Sequence, residues 1–337
     1  MLACSGLMPV RALRLEAPGQ ARIVEQALPA DTAEEVVLHV LAAAICRTDA
    51  RMWQSGHRDL VLPRVLGHEL CVRGEDGRRY AVWPGASCGR CQACRSGAEN
   101  LCRAVAVLGF HRDGGIAQRV RVPRSSLVPV PGEVPDAVVC LAEPLGCGVN
   151  ALNQAGVEAG ERVLIHGGGP VGLLLALAAR ARGAQPLVVE VDAEKAALSS
   201  CFQSLSGVVV TREEPGYGWD VAINATSSSH ALCAGLQRLR SGGRYVVFSG
   251  LRQEAGRNDL SRLNEVHYRQ LHLVGAFGCT HASVTEAVDL LAGYRMAAGA
   301  LIEAVISLEE SPDALRRVGQ GGVLRFVVRP EGAGYQA

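Results

Sequence analysis

The sequence predicts an α/β chain in two parts: a β-rich, barrel-like unit followed by a doubly wound parallel sheet. Three observations predict it. The chain has 337 residues, 48% of them hydrophobic and 20% charged, which at roughly 150 residues per domain is about two domains with full cores. Up to about residue 150, the strand-like runs are short and broken by Gly, Pro and Arg. Beyond it, apolar strands alternate with helical stretches, the rhythm of a parallel sheet covered on both faces.

The elements follow in order. Ala21 to Val24, Glu35 to Ala43, Tyr80 to Trp83 and Ala117 to Val122 read as strands of the first unit. In the second, Arg162 to Ile165 is a strand and Pro170 to Arg182 a helix that opens on Pro. Pro186 to Val191 is a strand, Ala193 to Leu205 a helix and Gly207 to Thr211 a strand. Asp220 to Asn224, the helix Ser229 to Arg240, and the strands Arg244 to Ser249 and Leu271 to Phe277 complete the alternation. From Ser283 the tail is amphipathic helix, then the strand Leu324 to Val328. The domain reading is 1–150, 151–279 and a return segment, 280–337.

Composition excludes several classes. Thirty-four basic against 33 acidic residues leave +1, so nothing draws the chain to nucleic acid or an anionic membrane. An uncharged run such as Val163 to Ala179 contains Gly167-Gly168-Gly169-Pro170, which a lipid-spanning helix would not favour. The first Arg is Arg11, so no positive region precedes the initial apolar residues. The expectation is no signal peptide and a reducing cytoplasm.

In that setting twelve cysteines call for metal rather than disulfides. Cys88, Cys91, Cys94 and Cys102 form a Cys-x2-Cys-x2-Cys-x7-Cys run. The short spacings place sulfurs about one turn apart, and the longer one lets the chain return and close a tetrahedral site. A ferredoxin-type cluster would put the fourth Cys after three residues, with Pro following; here seven intervene and Arg103 follows, so zinc is preferred. Four sulfurs leave no open position, so the lobe, about 86–103, is structural. Cys4, Cys71, Cys140, Cys147, Cys201, Cys233 and Cys279 sit in apolar or small-residue contexts and read as small buried hydrophobes.

A dispersed set comprises Cys46-Arg47-Thr48-Asp49, Gly67-His68-Glu69 and Glu143-Pro144. Cysteine, histidine and carboxylate are the ligand types of a zinc that keeps one position open. A third signal is Gly167-Gly168-Gly169-Pro170-Val171-Gly172, between the strand Val163-Leu164-Ile165 and a helix. Gly167, Gly169 and Gly172 satisfy G-x-G-x-x-G: one makes the turn, one admits a pyrophosphate, one lets helix and strand pack. The helix N-terminus, with Pro170 and Val171, then faces the phosphates. The following strand ends at Glu190 and Asp192, and a carboxylate there binds a ribose 2′-hydroxyl and repels a 2′-phosphate. One of the two takes that role and the other is a solvated strand end.

Together these motifs, with Asp113-Gly114-Gly115 in Gly109 to Gly115 and Glu143-Pro144-Leu145, resemble the zinc-containing medium-chain alcohol dehydrogenases from about Val10 onward. The resemblance implies a GroES-like catalytic domain with an inserted Rossmann domain and an active site in the cleft. It implies Cys46, His68 and either Glu143 or Glu69 on a catalytic zinc, and a second, structural zinc on the lobe. Asp49 would hold His68, Thr48 would relay the substrate proton and Arg47 would touch the cofactor pyrophosphate. Glu143 is the expected resting ligand, since a distant segment completes a facial set; Glu69 would sit behind it or swap in. Glu143-Pro144-Leu145 looks like the polyol and sugar-alcohol branch. Two features depart from the family: only nineteen residues separate His68 from Cys88, which shortens the barrel strands, and Glu190 falls one position early.

The resulting expectation is reversible oxidation of a secondary alcohol (a polyol, sugar alcohol or hydroxylated ring) with NAD preferred over NADP, by a homo-oligomer, dimer or tetramer. Trp53, Phe110 and Phe277 are candidate pocket liners. A threonine-type β-hydroxy amino acid is the nearest alternative substrate. Rivals are a thiol redox sensor built on the Cys88 loop, and a zinc-free quinone reductase, which would not need Cys46 or His68.

Overall fold

The computed structural model describes residues 9–28, 30–251 and 264–331, and Cys4 lies outside them. In chain order the elements are β1 (Pro9–Ala17), β2 (Gln20–Ala27), β3 (Glu35–Ala44), α1 (Arg47–Ser55), β4 (Arg64–Val65), β5 (Glu69–Arg73), β6 (Arg79–Val82), β7 (Gly85–Ala86), α2 (Gln92–Arg95), β8 (Ala106–Val107), β9 (Arg119–Pro123), β10 (Leu127–Pro129), α3 (Asp136–Val139) and α4 (Ala142–Ala155). They continue with β11 (Arg162–His166), α5 (Pro170–Ala181), β12 (Gln185–Val189), α6 (Ala193–Leu198), α7 (Ser200–Ser206), β13 (Val209–Thr211), β14 (Trp219–Asn224), α8 (Ser229–Arg238), β15 (Leu239–Val247), α9 (Asn264–Tyr268) and β16 (His272–Gly275). The last are α10 (His281–Gly299), β17 (Ile302–Ser307), α11 (Ser311–Gln320) and β18 (Arg325–Arg329).

The chain divides into two compact units, Met1–Glu143 with Thr280–Ala337, and Pro144–Cys279. In the first unit the main sheet runs β10-β6-β5-β3-β18-β17, with β9 also on β3, and a smaller sheet runs β2-β1-β4. Val36, Leu38 and Val40 alternate inward along β3 and join Leu13, Leu15, Met52, Leu70 and Phe326 in one core. Strands β5 and β6 span four or five residues each, which is how nineteen residues suffice between His68 and Cys88.

The second unit holds a six-stranded parallel sheet, β13-β12-β11-β14-β15-β16. Residues 172–179 of α5 are all buried, and burial of a Leu such as Leu173 contributes about 2 kcal/mol. Most boundaries shift by a few residues from those read off the sequence, and three of the shifts have a visible local cause. The stretch 193–205 is two helices meeting at Ser199, whose hydroxyl bonds back to the Ala196 carbonyl. Helix α8 stops at Arg238, because Leu239 already begins β15. Helix α10 starts at His281, where Thr280 caps Ser283 N–H and Ser283 returns the bond. No described helix is long and apolar enough to cross a membrane. The cysteines read as buried are not uniformly so: Cys71, Cys140 and Cys279 are, whereas Cys147 and Cys233 are half-buried and Cys201, on the outer face of α7, is exposed.

Candidate active site

Sheet register assembles the first site. In the β3–β5 pair Ala44 lies opposite Glu69, so Cys46, two residues beyond the end of β3, meets His68 and Glu69. One ligand atom from each of Cys46, His68 and Glu69 lies within 4.8 Å of the others. Cys46 is also the N-cap of α1: its sulfur accepts Thr48 N–H at 3.4 Å, and the helix N-terminus favours a thiolate there. Asp49, fully buried, accepts Cys46 N–H at 2.9 Å and Gly67 N–H at 3.3 Å, and stands 3.5 Å from His68 Nδ1. One carboxylate therefore fixes both backbone segments and faces the imidazole.

The loop Gly109 to Gly115 braces His68 from below. Gly115 N–H bonds the Gly67 carbonyl at 3.0 Å, Ile116 N–H bonds the Leu66 carbonyl, and Asp113 accepts Val65 N–H. Gly67 has φ +100°, and a Cβ on Gly114 would lie 2.2 Å from the Gly67 oxygen, so both positions require glycine. The Phe110 ring lies 5.5 Å from that of His68, while Trp53 packs on the core of the unit and Phe277, in the other unit, is exposed.

Sequence reasoning missed Arg325. It opens β18, which pairs with β3 through Val327 and Ala44. Its Nη2 donates to Glu69 Oε1 at 2.7 Å and its Nη1 to the Ile45 carbonyl at 3.3 Å, with Arg325 and Glu69 both buried. The sequence carries no clear signal for it: β18 opens on Arg325 and closes on Arg329, and only the first of the two is buried. Burial would raise the Cys46 thiol, but the charges of Arg325 and His68 outweigh it and bring it down to about 6. Burial also pushes the Glu69 carboxyl well up, against the pull of Arg325. Glu69 Oε2 is buried without a hydrogen-bond partner among the described residues, while His68 Nδ1 faces the Asp49 carboxylate. A thiol poised to ionise, an imidazole and an unsatisfied carboxylate oxygen fit a divalent zinc-type cation. Glu143, in the first turn of α4, lies outside that set of three and acts on Glu69 and Arg325 through its charge.

The lobe cysteines converge as their spacing requires. The Cys88, Cys91, Cys94 and Cys102 sulfurs all lie within 4.8 Å, with Cys88 3.9 Å and Cys91 3.4 Å from Cys94. Sulfurs around a tetrahedral zinc with bonds of about 2.3 Å stand roughly 3.8 Å apart, so the four fit one ion. The Arg90 and Cys91 backbone N–H groups hold the Cys88 thiol at about 6. The Cys94 N–H would lower Cys91, but the thiol contact with Cys94 and burial outweigh it and push Cys91 to about 11.

In the second unit the glycine turn stands between β11 and α5. Gly167 has φ +111° and donates its N–H to the Val189 carbonyl at 2.8 Å. A Cβ on Gly172 would sit 2.0 Å from the Gly167 oxygen. Pro170 occupies the first turn of α5, and no side chain caps that helix, which leaves its N-terminus to an anionic ligand. Glu190 follows β12 directly; its Oε2 accepts Gly168 N–H at 3.0 Å and its Oε1 accepts Asp192 N–H at 3.0 Å. Asp192 instead caps α6, accepting Glu194 and Lys195 N–H. Val171 lies within α5, and Arg47, exposed at the start of α1, lies beside Gly321.

A parallel nucleotide-type sheet and a thiol–imidazole–carboxylate site define a metal-dependent oxidoreductase. Comparison with known proteins bears this out. Residues 32–132 match the alcohol dehydrogenase GroES-like domain, and residues 170–293 the zinc-binding dehydrogenase domain. The chain is 32% identical over 246 residues to L-galactonate-5-dehydrogenase of Escherichia coli K12, covering 67% of this chain and 72% of the relative. It is 30% identical over 323 residues to an Aspergillus clavatus protein named "Probable D-xylulose reductase A", covering 87% and 89%. A solved Sinorhizobium meliloti structure, described as "a putative zinc-binding dehydrogenase" bound to NADP, is 28% identical with a TM-score of 0.83, covering 96% of this chain and all of that one. The chain belongs to the zinc-dependent medium-chain alcohol dehydrogenases.

Proposed function

We propose that the protein oxidises a secondary alcohol of a polyol or sugar acid to the ketone, reversibly, with NAD preferred over NADP. The observation that carries this reading is the convergence of Cys46, His68 and Glu69 within 4.8 Å. The relatives' names, a galactonate dehydrogenase and a xylulose reductase, support the substrate class. When bound, zinc supplies a Lewis acid for the alcohol oxygen and the nicotinamide accepts the hydride.

Cys46, His68 and Glu69 hold the metal in this reading, and the four lobe cysteines hold a second, structural one. Glu143, the ligand expected from the sequence, comes from a distant segment of the chain, in the first turn of α4. Geometry favours Glu69, whose Oε2 is buried and unsatisfied while Arg325 neutralises Oε1. Glu143 then modulates the site through its charge or exchanges in. Asp49 orients His68, as an outer carboxylate orients a metal-binding imidazole. Thr48, half-buried in the first turn of α1, passes the substrate proton outward. Glu190 meets the ribose 2′-hydroxyl, while Asp192 is committed to capping α6. The proposed state is a cytoplasmic homo-oligomer, and light scattering on the purified protein would distinguish dimer from tetramer.

The test is an absorbance screen of secondary alcohols with NAD and NADP, beside metal analysis. Glu69→Gln should lose the catalytic zinc, and Glu143→Ala should keep it. The reverse result would make Glu143 the ligand. No turnover on any hydroxylated substrate by zinc-loaded enzyme would overturn the substrate class.

A further inference from the structure

Two cysteines that the site does not use face each other in the second unit. Cys147 stands on α4, and Cys279 is the last residue of the unit. Their sulfurs lie within 4.8 Å. Cys147 is half-buried, and Cys279 is 4% exposed. The juxtaposition is built. Asn150, one turn beyond Cys147 on the same helix, donates its Nδ2 to the Gly278 carbonyl at 2.9 Å and toward the Phe277 carbonyl at 3.4 Å. The side-chain amide thus pins the backbone just before Cys279 against α4. Asn150 is itself 3% exposed, so the tether is shielded from water.

We propose that Cys147 and Cys279 are a redox modification site, a dithiol that closes reversibly to an intramolecular disulfide under peroxide. Cys147, the more accessible thiol, attacks hydrogen peroxide: its sulfur takes one oxygen, the O–O bond breaks and water leaves, giving a sulfenic acid. The Cys279 sulfur then attacks that sulfur, and the sulfenic oxygen departs as a second water. Two thiols and one peroxide become one disulfide and two waters. A dithiol reductant reverses the reaction by exchange. The bond would enclose β11 through β16, so it ties the first helix of the unit to its last residue. It differs from a switch on the Cys88 lobe, whose sulfurs are committed to one another and to a metal.

The test treats the purified, zinc-loaded enzyme with hydrogen peroxide in slight excess and maps the digest by mass spectrometry without reduction. The expected result is a cross-link between the peptides holding Cys147 and Cys279, two hydrogens lighter than their sum, which dithiothreitol abolishes. It should vanish in Cys147→Ser and in Cys279→Ser. It should persist in Cys140→Ser, which matters because Cys140 shares a tryptic peptide with Cys147. Asn150→Ala should slow cross-linking severalfold, since the pinned segment is released. Cys147 advancing to sulfinic acid with no cross-link would overturn the proposal. So would both thiols staying reduced while Cys201, the exposed cysteine of α7, is oxidised.

Discussion

Arg325 donates to Glu69 across 2.7 Å, with both residues buried and both set by their pairing to β3. Removing one member of such a pair leaves a charge without compensation. Arg325→Met should therefore destabilise the fold by about 3–5 kcal/mol, read from denaturant unfolding. The double variant Glu69→Gln, Arg325→Met should recover part of that loss, because no charge is then stranded. If the double variant is as unstable as the sum of the singles, the pair is not coupled as the geometry requires.

The lobe makes a different prediction. Cys94 touches both Cys88 and Cys91, so Cys94→Ser should release one zinc and leave the other in place. Structural zinc contributes folding free energy directly, and the melting temperature should fall by about 5 °C or more. Metal analysis beside a melting curve decides it, and full zinc with an unchanged melting temperature would sink the idea.

How much of this could be read without coordinates differs by residue. The four lobe cysteines were legible because they are close in sequence, and short spacing largely dictates their geometry. Gly167 to Gly172 were legible because strand, turn and helix are contiguous. Arg325 was not, because its partner lies 256 positions earlier and only the β18–β3–β5 register joins them. The choice between Glu69 and Glu143 is illegible in the sequence for the same reason: chain distance says nothing about which carboxylate the sheet turns inward. The break at Ser199 and the stop at Arg238 were invisible to periodicity, since each neighbouring residue fits a helix; a hydroxyl turned back onto the Ala196 carbonyl marks the first, and the pairing of Leu239 into β15 makes the second.

Glu190 yields a prediction about cofactor choice. Its carboxylate holds Gly168 and Asp192 N–H and stands at the end of β12. Glu190→Gln keeps an oxygen for Gly168 but removes the charge that repels a 2′-phosphate. The ratio of kcat/KM for NAD over NADP should fall roughly tenfold, mostly through KM for NADP. Glu190→Ala should narrow the ratio too, while also weakening NAD binding, because the turn loses its anchor. Wild-type enzyme that already uses both cofactors equally would show that Glu190 does not face the ribose.

His166 sets an acid limit on the unit that carries the glycine turn. It ends β11 directly before Gly167 and is 3% exposed, with Nε2 3.1 Å from Glu214 and Nδ1 buried without a hydrogen-bond partner among the described residues. Burial lowers its pKa, Glu214 opposes this, and Arg238 and His230 add to the lowering. The folded protein therefore keeps His166 neutral at a pH where the unfolded chain, at about 6.5, already takes up a proton. By linkage, stability from this residue is fully present above about 6.5 and is lost as pH falls below it. His166→Gln keeps a donor for Glu214 and cannot titrate. The unfolding free energy of wild type minus that of His166→Gln should be larger at pH 7.5 than at pH 5.5, measured by denaturant titration without cofactor. A difference that stays constant across that window would mean that the folded protein accommodates the imidazolium, with Glu214 as its counter-ion.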